Sequence, residues 1–473
     1  MRRAAPCVIL LAIVASVTGT AQAGPEAPLR VQAVHAMKKA GTFFRDYVAT
    51  RGGYVYFYSM DLKQRWGEGI ATPTQVWVQP PGTPTVGMAF IAAYRATGDR
   101  LYLDAATDAA LALAHGQLKS GGWTNCIDFD PHGSRSADYL NGKGRGKNNS
   151  SLDDGQTQSA IRLLMHVDQA HGFKHAQIRA SLGVALRALF AAQFPNGAFP
   201  QVWTGPVQPH PVIKAGFPDY DWRTDGRIKN YWDMYTLNDN VCGYVADTLI
   251  DGYRIYKKQS LLNALRKLGD FLVLAQLPQP QRGWAQQYNY EMKPIWARRF
   301  EPAAVAGDET QEAIATLIRI SEVTGDKRYL APIPDALAYL KKSMLPDGRL
   351  ARYYELKTNR PLYMQRNGKQ YTLTYDDSKL PSHYAWKIDS RIQELEQLFQ
   401  NARNNIRPKE SVPSEDEVRT IMRSLNGNGR WVSTFDGRPL VGQAKMPIGT
   451  KYIASELFSE NLEKLSAFIH ASR

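Results

Sequence analysis

Arginine is the residue type most ready to do chemistry in this chain, and it is paired in P-I-W-A-R-R-F-E-P from Pro294 to Pro302, where Arg298 and Arg299 sit beside Trp296 and Phe300. Upstream lie two acidic clusters, Asp153-Asp154 in S-L-D-D-G-Q-T and Asp239 in L-N-D-N, and downstream a second arginine-bearing run, A-R-Y-Y-E-L-K-T-N-R-P, spans Ala351 to Pro361. Carboxylates and amide carbonyls suit a hard cation such as calcium. A cation held against a sugar acid offsets its negative charge, which is needed before a proton next to a carboxylate can leave. Other reactive signatures are missing: there is no H-E-x-x-H, paired C-x-x-C, G-x-S-x-G or G-x-x-x-x-G-K, and the scattered histidines do not suggest zinc.

The elements that must position these groups read as helices. Apolar residues keep helical spacing over Leu103 to Leu118, Ile178 to Phe194 and Leu261 to Leu277. Glycine followed by an aromatic or apolar residue ends such runs at Gly52-Gly53-Tyr54, Gly121-Gly122-Trp123, Gly197-Ala198-Phe199 and Gly283-Trp284, and more loosely at Gly348-Arg349-Leu350. A-T-G-D-R-L-Y-L from Ala96 also resembles V-T-G-D-K-R-Y-L from Val323. Repeated helical hairpins bury one face against the next pair, which predicts a mainly α, (α/α) toroid-like fold, closed or incomplete, with short β-returns. Asp153-Asp154, Asn238-Asp239 and Asp308-Glu309 each precede a helical run, so polar groups collect at one end of the repeat. Helix capping is the plain alternative reading of each acidic start.

At 473 residues and 44% hydrophobic, the chain can bury a large core. Residues 1–23 have the basic, apolar and small-residue order of a cleaved secretory signal, from Arg2-Arg3 through Val8 to Val14 to Ala21-Gln22-Ala23, which predicts a secreted or periplasmic protein. No segment is long and apolar enough to predict a membrane span. The formal net charge of +14 falls by two when Arg2 and Arg3 leave, so the mature chain stays basic and attracts polyanions. Without a nucleic-acid module, acidic polysaccharide is a better partner than nucleic acid. Cys126 and Cys242 could pair or remain buried thiols. Residues 24–400 read as the catalytic body of a monomer, and 401–473 as a polar linker and extension packing on it, with a last helix from Ser455 to His470.

The blocks S-L-D-D-G-Q-T-Q-S-A-I-R-L-L, N-G-A-F-P-Q-V-W, Y-W-D-M-Y-T-L-N-D-N, W-A-R-R-F-E-P and Y-E-L-K-T-N-R-P-L-Y, in that order between Gly52 and Trp386, resemble the family 10 pectate lyases. The resemblance implies calcium-assisted β-elimination of polygalacturonate on a partly toroidal helical fold. By position it implies that Arg298 is the base, that Asp153 and Asp239 bind calcium with Asp154 beside them, and that Arg352 and Arg360 lie near substrate carboxylates. Lys147, Gln201, Asn238 and Arg299 are read as further substrate-binding residues.

An arginine base needs a reason, because guanidinium is normally always protonated. Like charge from Arg299, Lys293 and a metal, with burial by Trp296, is expected to disfavour its charged form. In the alternative role Arg298 pairs with the substrate carboxylate and another group takes the proton. Two other functions stay open: a glycoside hydrolase using Asp153 or Asp154 with Asp239, and a non-catalytic module that binds acidic glycan through its basic surface.

Overall fold

Runs of apolar residues at helical spacing build the frame of the molecule, which the computed structural model describes over residues 27–223, 229–407 and 411–472. The leader expected at 1–23 lies outside the described residues. In chain order the first six helices are α1 (Leu29–Phe43), α2 (Thr83–Thr97), α3 (Arg100–His115), α4 (Gln156–Ala170), α5 (Ala176–Ala191) and α6 (Val241–Tyr256). The next are α7 (Gln259–Ala275), α8 (Gly307–Thr324), α9 (Ile333–Ser343), α10 (Ile392–Arg403), α11 (Glu415–Ser424) and α12 (Ser455–Ala471). The even-numbered helices pack in succession, α12 on α2, then α4, α6, α8 and α10, while α1, α3, α5, α7 and α9 each back onto one of this row. The fold is mainly α and toroid-like, as the hairpin repeat predicts.

The glycine-aromatic marks explain how successive hairpins lock. The backbone N–H groups of Tyr54, Trp123 and Trp284 donate to the hydroxyls of Thr83, Thr157 and Thr310 at 2.9, 2.9 and 3.0 Å, and these threonines lie at the starts of α2, α4 and α8. Trp123 and Trp284 also donate their indole N–H to Leu113 and Leu272 in the preceding outer helices, both at 2.8 Å. A Cβ on Gly122 would come within 2.7 Å of Thr157 Oγ1, so glycine there makes room for the lock. In α6 the place of Thr157, three residues after Asp154, is taken by Cys242, three after Asp239. Cys242 is a buried free thiol, as is Cys126, so the pairing left open by sequence does not form.

Short antiparallel pairs complete each junction: 75–77 with 126–128, 150–151 with 202–203, 235–236 with 287–288, and 305–306 with 353–354. The strand before α12 behaves in the same way, Tyr452, Ile453 and Ala454 pairing with Ser59, Tyr58 and Phe57. The segment after residue 400 is joined to the body by this strand and by α12 on α2. Its last helix belongs to the inner row, and the boundary expected at residue 400 falls inside α10. Among the described residues, no helix is long and apolar enough to cross a membrane.

Candidate active site

The lead-ins to α4 and α6 share an unusual backbone. Asp154 and Gly155 have φ of 45° and 72°, and Asp239 and Asn240 have φ of 53° and 55°. Aspartate, asparagine and glycine tolerate this left-handed region best, which is why L-D-D-G and L-N-D-N suit the two positions. The kinks turn the carboxylates away from the helix amides. Asn240, the residue before α6, makes no side-chain capping bond, and Gly155 before α4 has no side chain to make one. Instead Asp153, Asp154 and Asp239 bring a carboxylate oxygen each to within 4.8 Å of one another. Helix capping does not explain these residues.

Amides hold the triad from below. Gln79 Nε2 donates to Asp154 Oδ2 at 2.9 Å, and Gln201 Nε2 to Asp239 Oδ2 at 3.4 Å. Asn238 Nδ2 also donates to Asp239 Oδ2, and Asn238 Oδ1 accepts from Gln286. Gln79, Gln201 and Asn238 are all buried. Gln201 and Asn238, expected to bind substrate, both donate to Asp239 here.

Burial, then Asp153 and Glu68, push the Asp154 carboxyl up to about 6 against the pull of Arg298 and Arg352. Its tip is open to solvent, but the protein packed around it removes much of its hydration. Asp239 is raised well above the usual carboxylate range by burial, Asp153 and Asp154, with Arg298 opposing. Mutual repulsion among oxygen donors, without sulfur or nitrogen, is what a hard divalent cation relieves, so the donor set fits one.

Arg298 faces this triad from the loop before α8. Its guanidinium pairs with Glu301, whose Oε2 also accepts the Arg298 backbone N–H at 3.0 Å. Glu301 is 1% exposed and its Oε1 accepts further bonds from Gln286 at 2.8 Å and Tyr384 at 3.0 Å. Burial works to lower the Arg298 pKa, but the Glu301 bond and charge, with Asp239, outweigh it and leave the pKa raised. The like-charged surroundings expected from sequence do not form. Lys293 turns to Asp219 at 2.8 Å and Glu291 at 3.4 Å, and exposed Arg299 donates to the Lys369 carbonyl at 3.2 Å. In the resting site Arg298 is held protonated.

Arg352 lies 3.4 Å from Asp308 and 3.9 Å from Glu309, with its guanidinium 4.4 Å from the centre of the Tyr384 ring. The Nε atoms of Arg298 and Arg352 are both buried without a hydrogen-bond partner among the described residues. A cleft of about 550 Å³ opens over Arg298, lined also by Lys229, Tyr231, Trp232, Arg299, Phe300 and Tyr371. Its cations and aromatic faces are the surfaces an acidic sugar chain requires.

Two expected substrate residues have only other contacts described. Arg360 is exposed and packs on Tyr375, 3.5 Å from the ring centre, and Lys147 is exposed on the loop before Ser150; neither has a described contact with the triad or Arg298. Sequence reasoning did not assign roles to Glu301, Gln286, Tyr384 or Lys229. Glu301 had a signal, since it stands three residues after Arg298 in the same block.

The sequence model of the pectic acid lyase family matches residues 117–348. No curated protein matches the chain. Among solved structures, a mutant of a family 10 polysaccharide lyase from Cellvibrio cellulosa in complex with trigalacturonic acid is 18% identical, covering 68% of this chain and 97% of that one with a TM-score of 0.46. A cellobiose 2-epimerase from Bacillus thermoamylovorans is 15% identical over 93% of this chain and 99% of its own, with a TM-score of 0.48. A family 76 glycoside hydrolase from Bacteroides thetaiotaomicron is 11% identical over 94% and 78%, with a TM-score of 0.44. The matched span, residues 117–348, carries the aspartate triad, Gln201 and Arg298, and over it the chain is similar to the pectic acid lyase family.

Proposed function

We propose that the protein is a secreted or periplasmic, calcium-dependent pectate lyase that cleaves polygalacturonate by β-elimination to 4,5-unsaturated oligogalacturonates. The observation that carries this reading is the aspartate triad set opposite Arg298 and Arg352 within a chain similar to the pectic acid lyase family. Asp153, Asp154 and Asp239 would hold the calcium. When bound it neutralises the uronate carboxylate, so that the hydrogen on carbon 5 becomes more acidic.

Arg298, in its free-base form, takes that proton. The C5–H electron pair becomes the C4–C5 double bond, the C4–O bond breaks, and the glycosidic oxygen leaves as an alkoxide that solvent protonates. Arg352 and Arg299 bind substrate carboxylates, Arg299 from the rim of the cleft. Because Glu301 holds Arg298 protonated, its free base is scarce, and the rate is expected to keep rising with pH through the alkaline range instead of levelling near neutrality. The Glu301 contact also favours a second reading, in which Arg298 stays a cation on the substrate carboxylate and another group takes the proton.

Purified protein with polygalacturonate and calcium is expected to give rising ultraviolet absorbance from the new double bond, abolished by chelator. Reducing ends without that absorbance would make it a hydrolase. Binding without turnover would make it a glycan-binding module.

The triad also predicts how calcium affinity follows pH. Asp154, raised to about 6, and Asp239, also raised by burial and its neighbouring carboxylates, must lose their protons for the cation to enter. Calcium affinity should therefore drop by about tenfold or more from about pH 8 to about pH 5. Calorimetric titration at the two pH values checks this, and equal affinities would remove the triad as the calcium site.

A further inference from the structure

We propose that Tyr384 is a positioning residue of the lyase site, its ring holding Arg298 and Arg352 in register and its hydroxyl fixing Glu301. The inference rests on the lyase reading and adds a residue from beyond the matched span. Arg298 and Arg352 come from different loops, one before α8 and the other between the strands at 350–351 and 353–354. Tyr384, from the segment before the strand at 387–388, lies between them. Its ring centre is 5.8 Å from the Arg298 guanidinium carbon and 4.4 Å from that of Arg352, both within cation–ring range.

The ring thus meets both cations and partly offsets their mutual repulsion. The hydroxyl donates to Glu301 Oε1 at 3.0 Å, the same oxygen that Arg298 and Gln286 reach, and lies 3.0 Å from the Tyr353 hydroxyl. Burial and the Glu301 charge raise the phenol's pKa, so it remains a donor. Sharing Glu301 Oε1 among three donors limits how much of the carboxylate's charge falls on Arg298. Phe300 packs edge-on against Tyr384 with ring centres 4.8 Å apart, which fixes the ring's tilt.

Tyr384→Phe and Tyr384→Leu separate the two contributions. Phenylalanine keeps the ring and loses the hydroxyl, so kcat on polygalacturonate is expected to fall about tenfold with KM nearly unchanged. Leucine loses the ring as well, and kcat is expected to fall about a hundredfold with KM rising. In a Glu301→Gln background Tyr384→Phe should have little further effect, since the charge its hydroxyl shares is gone. The melting temperature of Tyr384→Phe should match wild type.

Wild-type kcat in both variants overturns the assignment. So do kcat and KM falling in step with melting temperature in Tyr384→Phe, or additive effects in the double variant, each of which marks a packing residue. Wild-type protein that makes no unsaturated product overturns the lyase reading together with this role, whereas an active wild type with unchanged variants overturns the role of Tyr384 alone.

Discussion

Arg298→Lys should lower kcat on polygalacturonate by about a thousandfold while KM changes little, the size expected when a general base is lost. Lysine keeps the positive charge but offers a compact ammonium in place of a planar fork. It cannot both remain bonded to Glu301 and present a second nitrogen to the substrate. Arg299→Lys is the control. Arg299 is exposed and its described bond is to the Lys369 carbonyl, so its loss should be felt mildly and mainly in KM. Arg352→Ala should weaken binding more than turnover. If Arg298→Lys keeps near-normal turnover across alkaline pH, Arg298 is an anchor for the substrate carboxylate, as its pairing with Glu301 also allows.

The environment of Arg298 shows where sequence reasoning stops. Residues close in sequence, such as Arg299 and Lys293, are expected beside it in space. In the folded chain the turn sends Arg299 outward and hands Lys293 to Asp219, and the residue that governs Arg298 is Glu301, three positions on. The triad was more legible because its chemistry is local. Asp-Gly and Asp-Asn admit the left-handed backbone that turns each carboxylate off its helix, and the helical runs behind them are strongly periodic. Tyr384 and Gln286 carry no such mark, since their places depend on contacts between segments far apart in the chain. The last helix is legible from its own spacing, but its place in the row of even-numbered helices is not. An amphipathic run after a polar stretch looks like a tail until its strand is seen to pair with residues 57–59.

Asp239→Asn carries the other large effect, because it separates a metal ligand from a structural residue. Without calcium, burial and the charges of Asp153 and Asp154 raise the Asp239 pKa above its unfolded value, with Arg298 only partly opposing. The folded state then binds more protons than the unfolded state, so the ionised carboxylate costs the fold stability as pH rises through that range. An amide removes the charge and keeps the shape, its oxygen still able to accept from Asn238 and Gln201. In chelator at neutral pH the variant should therefore melt at the same temperature as wild type or higher. Calcium reverses the order, since it stabilises wild type by mass action and has only two carboxylates left in the variant. The calcium needed for half-maximal rate should rise by about a hundredfold, in line with how strongly ligand charge sets such affinities. Melting curves with and without calcium, read beside the calcium dependence of the rate, decide the matter: a variant that melts lower in chelator yet keeps the wild-type calcium curve would make Asp239 a structural residue and leave the cation to be held elsewhere.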